Sequence, residues 1–185
     1  MTQSPGFNHR PPLDSVSLEE LALAYVARFA VTEAKLASYL ARKLRERGWT
    51  EAEPNGPDLA ALAERFAARG YIDDAGWARA KAGSLLRRGY GARRVAQALG
   101  AAGIAAALRD DLKPQPGAAR RAALTLARKR GFGPFGAEPP DKARREKQIA
   151  ALLRAGHALD TARELVDAAS IEAAEAWAGQ ANGGD

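Results

Sequence analysis

"KLRERGW" (residues 43–49), "QALGAAGI" (97–104) and "AALLRAGH" (150–157) decide the fold. Each runs into a glycine, Gly48, Gly103 and Gly156, and each carries a leucine four residues earlier, Leu44, Leu99 and Leu152. A glycine just past an apolar periodic run is a helix stop, because it enters the left-handed conformation without a side-chain penalty. The three stops lie 55 and 53 residues apart. Each is preceded by a further helical segment: "LEELALAYVARF", "AGWARAKAGSLLRR" and "GAARRAALTLARKR". Each is followed by another: "DLAALAERFAARG", "IAAALRDDL" and "LDTARELVDAA". The pattern predicts a three-helix unit repeated three times, with a period of about 54 residues.

Outward from these stops the periodicity stays helical. Leu36, Tyr39, Leu40 and Leu44 form one 3-and-4 stripe, and Leu59, Leu62, Ala63 and Phe66 form another, closed by Gly70. Val95, Leu99 and Ala102, then Ile149, Leu152 and Leu153, repeat the theme. No alternating β-branched pattern competes, so the fold class is all-α, with three tandem, helix-turn-helix-like repeats. The expected boundaries are a disordered lead-in at 1–16, repeats at 17–73, 74–113 and 117–170, and a helix end with a disordered tail at 171–185. A short repeat buries little alone, so neighbours must stack, and an elongated, curved array is expected. "TEAEPNGPD" (50–58) and "GFGPFGAEPPD" (131–141) read as Gly- and Pro-rich surface loops, and "KPQPG" (113–117) as a linker.

Hydrophobic residues make up 46% of the 185, but alanine holds much of that share, which predicts closely packed, thin helices. There is no cysteine, so neither a disulfide framework nor a thiolate metal site can form, and a cytoplasmic setting is expected. No apolar run reaches the roughly 18 residues that a membrane span needs. The N-terminal residues lack the charged start and apolar run of a secretory signal.

Charge is distributed unevenly. The net is +6, from 28 Lys and Arg against 22 Asp and Glu. Residues 75–154 hold 18 cations and 5 acids, and no acid lies between Asp74 and Asp110. Such asymmetry points to a polyanionic or acidic partner for the middle of the chain. The catalytic inventory is sparse. The two histidines, His9 and His157, are far apart and make no metal site, and His157 reads as a helix-terminus residue. No phosphate loop, nucleophile elbow or H-E-x-x-H is present. Asp73 and Asp74 could meet Mg²⁺, but their place before "AGWARA" suits helix capping better. A binding protein without a cofactor, and not an enzyme, is expected.

"RRGYGARRV" (87–95) places two arginine pairs around Gly-Tyr-Gly. Gly89 and Gly91 are expected to let the backbone turn between helices, with Tyr90 packing the turn. Arg87 and Arg88 suit the negative end of the helix they close. Arg93 and Arg94 open the next helix, where the dipole disfavours cations unless an anion waits there. Together with "GYIDDAGWA" (70–78), this stretch resembles the RecX family, whose members show G-Y-[LI]-[DN]-D-x-x-[FWY]-A followed shortly after by an arginine- and glycine-bearing stretch that leads into a helix. "LARKLRERGW" (40–49) is similar to the family's first repeat. The third repeat matches less well, with His157 in "LLRAGH" where an aromatic residue is commoner. The resemblance covers about residues 17–170.

The resemblance implies three three-helix repeats and binding to the RecA recombinase and its filament on single-stranded DNA. It implies modulation, mainly inhibition, of filament growth, strand exchange and ATP hydrolysis, within homologous recombination, DNA repair and the SOS response. Duplex DNA is a further expected ligand, membranes are not, and a monomer is expected. Gly70, Tyr71, Asp73, Asp74, Trp77, Gly89, Tyr90 and Gly91 would be structural motif positions. The candidate filament- or phosphate-facing residues are Lys81, Arg87, Arg88, Arg93, Arg94, Arg120, Arg121, Arg128, Lys129, Arg130, Arg144, Arg145 and Lys147. The alternative is a helix-turn-helix transcriptional regulator, for which "ARRVAQALGAAG" (92–103) offers Arg93, Arg94 and Gln97 as base readers. A pure protein-binding scaffold would lack salt-sensitive DNA affinity.

Overall fold

The computed structural model describes residues 11–50 and 56–180. His9, much of the 50–58 loop and the last five tail residues lie outside the described residues. The described chain is all-α: α1 (Ser15–Val26), α2 (Glu33–Arg47), α3 (Leu59–Ala68), α4 (Asp74–Arg87), α5 (Ala92–Ala101), α6 (Ala106–Asp111), α7 (Pro116–Arg130), α8 (Lys142–Arg154), α9 (Leu159–Val166) and α10 (Ile171–Gly179). Gly48, Gly103 and Gly156 end α2, α5 and α8 at φ of 82°, 80° and 94°, the middle helix of each successive triplet. The near-regular spacing of the stops thus has one cause, a positive-φ glycine at an equivalent place. The chain forms two compact units, one up to Trp77 and one from Ala78 onward, divided in the first turn of α4.

In the first unit, Leu18 and Ala22 of α1 meet Leu36 and Leu40 of α2 and Leu62, Ala63 and Phe66 of α3. Each fully buried leucine or phenylalanine is worth about 1.5–3 kcal/mol of transfer free energy. Residues 13–16, where the sequence suggested a lead-in, are held in the structure. Leu13 is wholly buried, its amide bonds to Gly48 O at 2.9 Å, and its carbonyl accepts from Thr50 N at 2.9 Å. Asp14 then caps α1 in a reciprocal box with Ser17.

The "GYIDD" carboxylates have separate duties. Asp73 Oδ1 accepts from Gly76 N at 2.7 Å and starts α4. Asp74 Oδ1 accepts from Glu33 N at 3.0 Å, tying the start of α4 to the start of α2. The Lys35 ammonium lies 4.4 Å from the centroid of the Trp77 ring.

In the second unit, Ala78, Ala82, Leu85, Val95 and Leu99 are buried along α4 and α5. A second apolar cluster joins α7, α8, α9 and α10, from Ala123 and Ala127 through Leu152 and Leu165 to Ala174 and Ala178. Residues 171–179 are therefore a packed helix, where the sequence suggested a helix end leading into a tail. The 131–141 segment is also more tightly held than a surface loop. Gly133 N donates to the buried Gln148 side chain at 2.9 Å, and Phe132 and Phe135 pack on the cluster.

Candidate nucleic-acid interface

The site begins with the turn at 88–91. Gly89 has φ 91° and lies against the Leu126 backbone, so its turning role is as expected. Gly91 serves another purpose. Its φ is −84°, open to any residue, but a Cβ there would press into the Gly156 carbonyl. A Cβ on Gly156 would press into the backbone of Arg94. The two glycines let backbones approach until Gly91 N donates to Ala155 O at 2.9 Å and Arg93 N to Gly156 O at 3.1 Å.

These bonds also give the start of α5 a partner that the sequence did not show, while the Arg93 and Arg94 side chains stay exposed. The α5 N-terminus has no side-chain cap. The carbonyl end of α8 meets it, so the negative pole of one helix faces the positive pole of the other. Backbone carbonyls of the same chain thus meet the α5 N-terminus. His157 completes the junction, 2% exposed, its Nε2–H donating to Gly89 O at 2.9 Å. Burial holds this imidazole below its ordinary pKa, and the bond to Gly89 offsets only part of the effect.

The candidate cations divide into two sets. Arg120 donates to the carbonyls of Trp177 and Gln180, each at 3.4 Å, with its guanidinium 5.8 Å from the Trp177 ring centroid. Arg128 pairs with Glu175, and Arg145 grips Asp167 through two bonds of 2.5 Å. The pairing draws the Asp167 carboxyl below and the Arg145 guanidinium above their ordinary values. These three fasten α10 and the α9–α10 connection instead of standing free. Arg94 donates to Gln97 Oε1 at 2.6 Å.

Lys81, Arg87, Arg88, Arg93, Arg121, Lys129, Arg130, Arg144 and Lys147 are exposed and paired with no carboxylate among the described residues. Of these, Arg88, Lys129 and Arg130 converge beside Tyr90 and Phe132, and Arg144 and Lys147 line an adjoining hollow. Sequence reasoning missed Arg154 and Phe132, which belong to the first group. Arg154 could have been read as a basic residue in the last turn of α8, the position that α7 fills with Arg128–Arg130. Among the described residues, no grouping of three His, Asp or Glu could hold a metal ion. No helix among them is long and apolar enough to cross a membrane.

No protein-family model matches the chain. The regulatory protein RecX of Myxococcus xanthus is 31% identical over 157 residues, covering 81% of this chain and 84% of that one. This chain belongs to the RecX family. The crystal structure of RecX from Lactobacillus salivarius superposes with a TM-score of 0.62, covering 80% of this chain and 90% of that one at 16% identity. The RecX kinship and the shared all-α fold put the Gly-Tyr-Gly turn within a family whose M. xanthus member is named a regulator.

Proposed function

We propose that this RecX-family chain binds the RecA recombinase filament on single-stranded DNA and restrains its growth, strand exchange and ATP hydrolysis. Kinship to the M. xanthus regulatory protein across four-fifths of both chains carries the reading. The basic middle of the chain supports it, because exposed cations without carboxylate partners suit a phosphate backbone or an acidic filament surface. The role is regulatory and non-enzymatic, it belongs to recombinational DNA repair in the cytoplasm, and three repeats at 17–73, 74–113 and 117–170 act as one monomer. Helix-turn-helix base reading is the weaker alternative, since Arg94 and Gln97 bond to each other and Arg93 alone remains on that face of α5.

The test is RecA ATP hydrolysis on single-stranded DNA with this protein well below the recombinase concentration. A strong fall is expected. Unchanged hydrolysis at equal concentrations and low salt overturns the reading.

A further inference from the structure

Three rings of the first unit form a ladder. Tyr25 of α1 and Tyr39 of α2 stack with centroids 4.0 Å apart and planes 2° from parallel. Phe29, in the turn that follows α1, continues the ladder with its centroid 5.4 Å from that of Tyr25. At the other end the Arg42 guanidinium lies 5.6 Å and the Lys43 ammonium 5.9 Å from the Tyr39 centroid.

Folding uses only part of this ladder. Tyr25 and Tyr39 are half-buried against the first-unit core. Phe29 lies outside that core and is 56% exposed. Its place is nevertheless fixed. Its amide donates to Tyr25 O at 3.1 Å, and Val31 and Thr32, just beyond it, are buried. A lone exposed apolar side chain is ordinary. A ring held in place, joined to two more and edged by arginine, has the composition of an interface anchor. Charge then selects the occupant. Arg28, exposed and next to Phe29 in the chain, pairs with no carboxylate among the described residues. At the far end Glu46 lies 2.6 Å from Lys43 and 3.9 Å from Arg42, one carboxylate shared by two cations. A phosphate strand is the poorer match. Residues 1–77 carry 11 acids and 9 cations, so the first unit lacks the positive field that gathers polyanions. The tyrosines are closed face to face, which leaves no gap for a base between them.

We infer that the ladder is a docking site for a short protein segment carrying one aromatic side chain between two carboxylates. The segment's ring packs on Phe29 beside Tyr25, and its carboxylates meet Arg28 and Arg42. The site uses no residue of the second unit. It goes beyond the proposed filament function, because it gives the chain a second partner, a protein held through its own surface.

The experiment is fluorescence anisotropy of a labelled hexapeptide, one phenylalanine between two aspartates and otherwise glycine and serine, titrated with the full chain. Saturable binding is expected. Phe29→Ser should weaken it by about tenfold or more, the scale of a lost interface anchor. Arg42→Ala should weaken it by about two- to fivefold, the scale of one exposed ion pair. Val16→Ser changes an apolar side chain that is 66% exposed and outside the ladder, and should leave binding within about twofold. A peptide with alanine in place of phenylalanine should not saturate. If Phe29→Ser fails to fold, Arg42→Ala and the alanine peptide decide. Absence of saturable binding overturns the site, as do equal losses for Val16→Ser and Phe29→Ser or equal affinity for the alanine peptide. Displacement of the peptide by an equimolar thymidine oligomer overturns the choice of a protein segment. Phe29→Ser should act on RecA ATP hydrolysis as the native chain does, and a loss confined to that variant overturns the second partner by placing the ladder in the filament contact. The peptide titration contains no recombinase, so its failure is distinct from failure of the ATPase test.

Discussion

A methyl group on Gly91 would meet the Gly156 carbonyl, and one on Gly156 would meet the Arg94 backbone. Gly91→Ala should therefore destabilise the second unit by about 1–3 kcal/mol through overpacking. Gly156→Ala should cost about 1–2 kcal/mol more, because its φ of 94° lies in the left-handed region. Gly179→Ala, which opens onto free space, should stay within about 0.5 kcal/mol. Guanidinium unfolding midpoints check all three, and an unshifted Gly91→Ala would remove the close-approach account. His157 adds a pH term. Its folded pKa lies below the unfolded value of 6.5, so the unfolded state takes up the proton first on acidification. The stability it contributes is present above about pH 6.5 and is lost as pH falls through its lower folded pKa. His157→Gln should flatten the decline of the urea midpoint between pH 7 and 5, whereas a parallel decline would mean that other groups cause it.

At the scale of the element, α10 was the least legible part of the sequence. Its buried positions are Ala174 and Ala178, and a helix whose core face is alanine gives a weak hydrophobic stripe. The partners Arg128–Glu175 and Arg145–Asp167 lie 47 and 22 residues apart, so the charge pattern alone could not tell fasteners from free cations. The helix stops were legible because a left-handed residue is a local requirement that glycine meets at any depth of burial. The close approach of Gly91 was not legible, since the crowding comes from a turn 65 residues further on. Packing, not pairing, should dominate the hold on α10. Ala178→Glu, which buries an unpartnered charge, should destabilise the protein by about 3–5 kcal/mol. Arg128→Ala removes only a half-exposed ion pair and should cost about 1 kcal/mol or less. Thermal unfolding of the two variants separates the contributions, and equal losses would contradict this ordering.

Over the whole molecule the charge asymmetry matters more than its sum. Cations in the middle of the chain exceed those that internal carboxylates and helix ends neutralise, and the surplus gathers where acids are absent. Binding through such a surface releases counterions from single-stranded DNA, so affinity must fall with salt. Each phosphate neutralised on a single strand adds about 0.7 to the downward slope of log K against log salt. With Arg88, Lys129, Arg130 and Arg154 in the first hollow and Arg144 and Lys147 in the adjoining one, the slope should approach about −4 if every one meets a phosphate. Arg144→Ala/Lys147→Ala should make it shallower by about 1.4 while leaving stability unchanged, because both side chains are exposed and pair with no described carboxylate. Anisotropy titrations of a thymidine oligomer between 50 and 200 mM salt, a range in which the effect is large, give both slopes. A native slope near zero would mean that these cations meet no phosphate. A native slope retained in the double variant would mean that the strand occupies the first hollow without extending into the second.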